Sequence, residues 1–148
     1  KFRNVCADGS PAPNATSSAF SDIDYPLFRS ADAYLMLAEA QLRGATTVSA
    51  DEAKAAWNAV RTRAGLDELV AAQYNLNELI DERGRELYWE GWRRSDLIRF
   101  GKYTSDAYNW AWKGNKKEGT AVSDKYQLMP IPASELNSNQ SLKQNSGY

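Results

Sequence analysis

Histidine is absent from the 148 residues, and with it the commonest general base and metal ligand of neutral pH. Cysteine occurs once, as Cys6, which excludes an internal disulfide and a thiolate-bound metal cluster. No apolar run approaches the roughly 18 residues that a membrane-spanning helix needs. Charge excess is lacking too. With 18 basic and 19 acidic residues there is no electrostatic case for nucleic acid. The chain opens on Lys1, with neither an initiator methionine nor a signal peptide, as a mature or trimmed piece would. Asn14-Ala-Thr16 fits a glycosylation sequon, a pattern too common by chance to carry weight.

What is present describes one globular domain. Hydrophobic residues make up 43% and charged residues 25%, enough for a packed core and against wholesale disorder. Residues 1–24 read as an irregular leading segment, small, polar and proline-bearing. Residues 25–148 read as the domain. A first helix is expected over about 30–43, with Ala31, Tyr34, Leu35, Ala38 and Leu42 on one stripe, Glu39 and Arg43 paired on the exposed side, and Gly44 as the stop. A second runs over about 50–64: Ser49 and Glu52 form a capping box, and Ala53, Trp57, Val60 and Ala64 form the stripe. A third is expected over about 76–100, capped by Asn75 with Glu78 at the third position, Tyr74 stapling onto Leu79.

The third helix organises the rest. Wound at about 100° per residue, it places Leu79, Ile80, Leu87, Leu97 and Ile98 on one stripe. Arg83, Glu90 and Arg94 fall inside that stripe and Glu86 at its edge, so a ladder Arg83–Glu86–Glu90–Arg94 is expected as a structural ion network. Tyr88, Trp89, Trp92 and Phe100 project from the opposite side, which implies a second layer there. That wheel holds only if the helix survives Gly84 and Gly91, each costing up to about 1 kcal/mol. The first two helices occupy a length close to the tetratricopeptide period of about 34 residues, though no second copy is visible. Beyond Gly101 the stretch 101–148 is loop-rich, with two prolines at Pro130 and Pro132 forcing an extended path and one helical turn near 133–137. The closing NSNQSLKQNSGY is too polar to pack by itself.

These motifs resemble the C-terminal part of the SusD/RagB family of outer-membrane nutrient-binding lipoproteins. Arg29, Ala31, Asp32, Leu35, Ala38, Glu39 and Ala40 match its first helical signature, and Trp57 to Leu66 resembles its Asn-x-Val-Arg-x-Arg-Ala-Gly-Leu segment. Glu82, Arg83, Glu86, Leu87, Glu90, Gly91, Arg93, Asp96, Leu97 and Arg99 match the central helix. The tail from Leu128 resembles the closing Pro-Ile-Pro and Gln-Asn-Pro-Gly-Tyr blocks, with Ser138 and Ser146 where the family usually has proline. The resemblance implies an all-α fold of tetratricopeptide-like helical pairs with long loops. It also implies a lipoprotein on the surface of a Gram-negative bacterium, attached to the membrane only through a lipid anchor outside this chain. Such a protein captures oligosaccharides, or in some members peptides, for a SusC-type TonB-dependent transporter. Cys6 lacks the sequence context of a lipidated cysteine, and a free, partly buried thiol is expected.

No cofactor, metal ligand set or catalytic group is expected. Glu82, Glu86 and Glu90 could be read as glycosidase carboxylates, but each has an arginine within one turn, which favours the charged form that a general acid must avoid. Tyr34, Trp57, Trp89 and Trp92 are expected in the core. Tyr108, Trp110, Trp112 and Lys113 lie in a loop where nothing requires burial, and form the candidate glycan platform. If the Trp110-Ala-Trp112 tripeptide is extended, its two indoles share a side. The other readings are a loop pinned by its tryptophans and a helical protein-interaction scaffold with no ligand site here.

Overall fold

The structure, a computed structural model, describes residues 5–12, 24–104 and 106–148. Most of the leading segment, including the Asn14 sequon, lies outside the described residues. The elements are helical: α1 (Ser30–Leu42), α2 (Ala50–Arg63), α3 (Leu76–Glu86), α4 (Arg93–Arg99) and α5 (Ala133–Ser138), with short 3-10 turns between them. The described residues contain no named strand, and Val5 and Pro11 form an isolated bridge. None of their helices is long and apolar enough to cross a membrane. The chain divides into two compact units, Lys1–Arg93 and Arg94–Tyr148.

In the first unit α1 packs on both α2 and α3. Leu35, Ala38, Ala53, Trp57, Leu79 and Ile80 are fully buried, each a stripe position of its helix. The alanines let the backbones approach, and Trp57 fills the space beside them, its ring tilted against Tyr74 at 5.9 Å. The start of α2 is the expected capping box, Glu52 N–H donating to Ser49 Oγ at 3.2 Å and Ser49 N–H to Glu52 at 2.9 Å. Hydrogen bonds from the Ser49 backbone and hydroxyl hold the Glu52 carboxyl below its usual range. Asn75 caps α3 by accepting from the N–H groups of Asn77 and Glu78. The connection from α2 to α3 is pinned by Asn58, whose Oδ1 accepts from Leu69 N–H, and by Arg61, which donates to Asp67 O.

The expected continuous helix over 76–100 does not form. α3 ends at Glu86, and the chain turns through 87–92 before α4. Two residues in that turn have left-handed backbone, Trp89 at φ 65° and Gly91 at φ 79°. Glycine adopts this freely, and a tryptophan does so at a cost of about 1–2 kcal/mol. Gly84, by contrast, stays helical: a Cβ there would lie 2.8 Å from Arg93 Nη1, so the glycine makes room for a guanidinium that donates to Ile80 O at 2.6 Å. With the helix broken, Trp89 is solvent-facing and Trp92 half-buried; Tyr34, on α1, is exposed as well, so of the four aromatic residues expected in the core only Trp57 is there. Cys6 is free and exposed rather than partly buried. Glu39 does pair with Arg43 at 2.9 Å, but from a buried position.

The break also rewrites the ion network. Glu90 lies past the end of α3 and no longer stands one turn beyond Glu86, so the ladder has no helix to carry it. The acids are instead gripped from other elements. Arg29, at the N-terminal boundary of α1, donates to Glu90 through Nε at 2.7 Å and Nη2 at 2.8 Å, and to Glu86 Oε1 through Nη1 at 2.8 Å. Arg63 of α2 also pairs with Glu86. Arg61 of α2 and Arg85 meet on Glu82 at 3.0 and 2.8 Å. Arg83, 1% exposed, lies 2.8 Å from Asp32 of α1, off the angle of a good hydrogen bond, so that contact is ionic first. Arg94 belongs to the second unit, where it donates to the carbonyls of Tyr126 and Gln127 at 2.7 and 3.0 Å.

Each position therefore has its own expected cost. Asp32→Ala takes a partner from a fully buried guanidinium and is expected to lose about 3–5 kcal/mol in denaturant unfolding. Asp81→Ala touches a half-exposed pair, 3.7 Å from Arg93, and is expected to lose less than about 1 kcal/mol. Equal losses at the two sites would contradict the network as described. Asn75→Ala is expected to cost about 1 kcal/mol by the same measurement, through the lost cap of α3.

Candidate functional site

The second unit has little apolar core. Among its described residues only Asp96, Leu97 and Thr104 are buried. Polar contacts to backbone hold it instead. Gln144 accepts from Ile131 N–H at 2.8 Å and donates to Ile131 O at 2.9 Å, taking both groups of one extended residue. Asn145 donates to Met129 O and the Tyr148 hydroxyl to Leu128 O. The tail is thus a clasp over the Pro130–Pro132 segment. Polarity alone hid this, because amide side chains can substitute for a neighbouring strand.

On this frame sits the candidate platform, residues 106–120. Lys113 Nζ donates to Tyr108 O at 2.7 Å and lies 4.8 Å from the centre of the Trp110 ring. Tyr108 meets Trp110 edge to face at 5.6 Å. These three side chains form one cluster, and Trp110 is still 54% exposed. Trp112 is 67% exposed and sits on a turn, with φ 69°. The tripeptide is therefore not extended, and the shared side for the two indoles does not follow. Lys113 N–H closes the turn onto Trp110 O at 3.2 Å.

The loop is tightly determined around its tip. Asn109 Oδ1 accepts from Trp110 N–H at 3.1 Å, and its Nδ2 donates to Glu118 O at 3.2 Å. Gly119 lies so close that a Cβ would fall 2.3 Å from Asn109 Oδ1 and 2.4 Å from Trp110 O. Only glycine fits there. The aromatic rings are thus offered to solvent by a backbone with little freedom, as a stacking surface requires.

Other surfaces offer less. One open groove of about 410 Å³ runs along α2 between Asp51, Asn58, Thr62 and Glu68. Another, of about 400 Å³, lies between Asp124, Lys125, Gln127, Leu128 and Ser146. Neither is lined by the four platform residues. Among the described residues no group of three or more His, Cys, Asp or Glu side chains could hold a metal. The three acids that could be read as glycosidase groups are all held by guanidiniums: Glu82 by Arg61 and Arg85, Glu86 by Arg29 and Arg63, Glu90 by Arg29. Glu90 raises the pKa of Arg29 most, against the opposing effect of burial, and Glu86 adds to it.

The sequence profile of the SusD family matches residues 1–148. The chain is 44% identical over its whole length to the starch-binding protein SusD of Bacteroides thetaiotaomicron, and spans 25% of that protein. A SusD superfamily protein of Bacteroides vulgatus superposes with a TM-score of 0.67 at 25% identity, over 90% of this chain and 30% of its own. One from Parabacteroides distasonis gives 0.64 at 27% identity, over 93% of this chain and 30% of its own. With the profile matched end to end and the helical fold shared, the chain belongs to the SusD family.

Proposed function

We propose that this chain is the C-terminal part of a non-catalytic nutrient-capture protein that binds oligosaccharide at the surface of a Gram-negative bacterium. The observation that carries this reading is 44% identity, over all 148 residues, to a protein named for binding starch. Capture is an equilibrium contact, with no bond made or broken. A lipid anchor outside these residues would keep the protein on the outer membrane, and a SusC-type TonB-dependent transporter would receive the cargo. The acids support the absence of catalysis, since each is held by arginine where a glycosidase needs one carboxyl free to carry a proton.

Within this chain the platform of Tyr108, Trp110, Trp112 and Lys113 is the proposed contact. A pyranose ring presents C–H bonds on one face, which pack on an indole, and hydroxyls at its rim, which accept from an ammonium. Trp110, 54% exposed, offers such a ring, with the Lys113 ammonium over it at 4.8 Å from its centre. The rival reading, a helical scaffold with no ligand site in this segment, makes the same residues structural.

Calorimetry on the full-length protein with starch-derived oligosaccharides separates these. Trp110→Ala and Trp112→Ala are each expected to weaken binding by roughly tenfold, the loss of an aromatic contact of about 1.5 kcal/mol, with the melting temperature little changed. Unchanged affinity with a lowered melting temperature assigns the rings to the scaffold. Release of shorter sugars from the same mixtures would contradict the non-catalytic reading altogether.

A further inference from the structure

Two side chains of opposite charge stand side by side in the second unit and do not pair. Asp124 and Lys125 both line the groove of about 400 Å³ whose other walls are Gln127, Leu128 and Ser146. Among the described residues the Asp124 carboxylate has no hydrogen-bonding or ionic partner, and no acid pairs with the Lys125 ammonium. What holds Lys125 is aromatic. Its Nζ lies 5.1 Å from the centre of the Tyr126 ring and 5.1 Å from that of Tyr148. The two rings meet edge to face at 6.4 Å and stay 47% and 42% exposed. The lysine stem is fixed as well. At Gly147, with φ 93°, a Cβ would fall 2.8 Å from Lys125 Cβ, so the bare glycine leaves the stem its room. Gln127 Nε2 donates to Thr104 Oγ1 at 3.0 Å, which sets the amide and leaves its oxygen open.

The lining indicates what fits. The volume falls in the range of roughly 300–1,000 Å³ usual for small-molecule sites. One acid and one base cancel, so an ionic ligand would meet one attractive group and one repulsive group. Hydroxyl groups both donate and accept, and so suit a carboxylate and an amide oxygen together with an ammonium. Leu128, 61% exposed, and the two half-open rings add apolar surface for C–H groups. A pyranose has both kinds of surface. Side chains already fixed by rings and glycine lose little freedom on receiving it. The set also repeats the platform's chemistry, where Lys113 lies over Trp110 and Tyr108 meets that ring edge to face.

We propose that this groove is a second sugar site of the chain, taking one neutral pyranose unit against Asp124, Lys125 and Gln127. The proposal rests on the oligosaccharide-capture reading but on none of the platform residues.

The test is lysine footprinting of the full-length protein by limited acetylation, with and without saturating maltotriose, read residue by residue by mass spectrometry. Lys125 is expected to react about tenfold more slowly with the sugar present, while Lys143, exposed on the tail, reacts as before. Asp124→Ala, at an exposed position, is expected to abolish the protection of Lys125 without moving the melting temperature. Lys113 reports on the platform in the same sample. Protection of Lys125 alone upholds the groove and removes the platform, and protection of Lys113 alone does the reverse. Calorimetry separates the remaining failures: heat without Lys125 protection overturns the groove only, and no heat overturns the capture reading with it. Protection that persists undiminished in Asp124→Ala would overturn the groove too. So would a Lys125 already unreactive in the sugar-free protein, since other chain would then fill the space.

Discussion

One guanidinium carries the architecture of the first unit. Arg29 stands at the boundary of α1 and could have been replaced there by any capping residue, yet its side chain caps nothing in its own helix. It crosses to the far end of α3 and takes Glu86, Glu90 and the Glu86 carbonyl together. The carbonyl is one that a helix end leaves without an internal partner, and Arg29 satisfies it. The two acids lie close enough to repel each other, and the planar guanidinium holds both, Glu90 by two parallel N–H groups and Glu86 by a third, a geometry that a lysine ammonium does not match. The turn that ends α3 is stabilised by this grip, including the left-handed Trp89 at its centre.

Much of the fold was legible because it was local. Ser49 and Glu52 announce the start of α2, Asn75 announces α3, and the apolar periods place Leu35, Ala53, Trp57 and Leu79 inside. Two things were not local. A pairing rule based on neighbouring turns assumes that the turns continue, and the helix ends four residues before Glu90. Once it ends, partners come from any element that packs nearby, and no spacing in the sequence names Arg29, Arg63 or Asp32. The signal available was the position of Arg29 and Asp32 in the first family signature, which marked them as significant without saying to what they bind. Trp89 was misplaced because the helix breaks at it, and Tyr34 because a periodic stripe cannot distinguish a face that is covered from one that is not.

The candidate platform was legible to a different degree. Tyr108, Trp110 and Lys113 do come together, because a turn rather than an extended run folds the lysine back over the indole. Gly119 was not singled out, although it decides how close the two arms of the loop approach. A glycine's role in a close approach depends on what stands opposite, which is a tertiary fact. The clasp of Gln144, Asn145 and Tyr148 was read as an unpacked tail for a related reason: amide-rich segments look solvent-bound until their partners are backbone.

That clasp has a bearing on solubility. An extended segment such as Leu128–Pro132 carries apolar side chains, among them Met129 and Ile131, and would ordinarily be an open edge onto which another chain could add a strand. Pro130 and Pro132 have no N–H to offer, and Gln144 already holds both polar groups of Ile131. The row of donors that seeds intermolecular pairing is interrupted at three successive residues. An exposed, greasy stretch is thereby kept from acting as a template for aggregation.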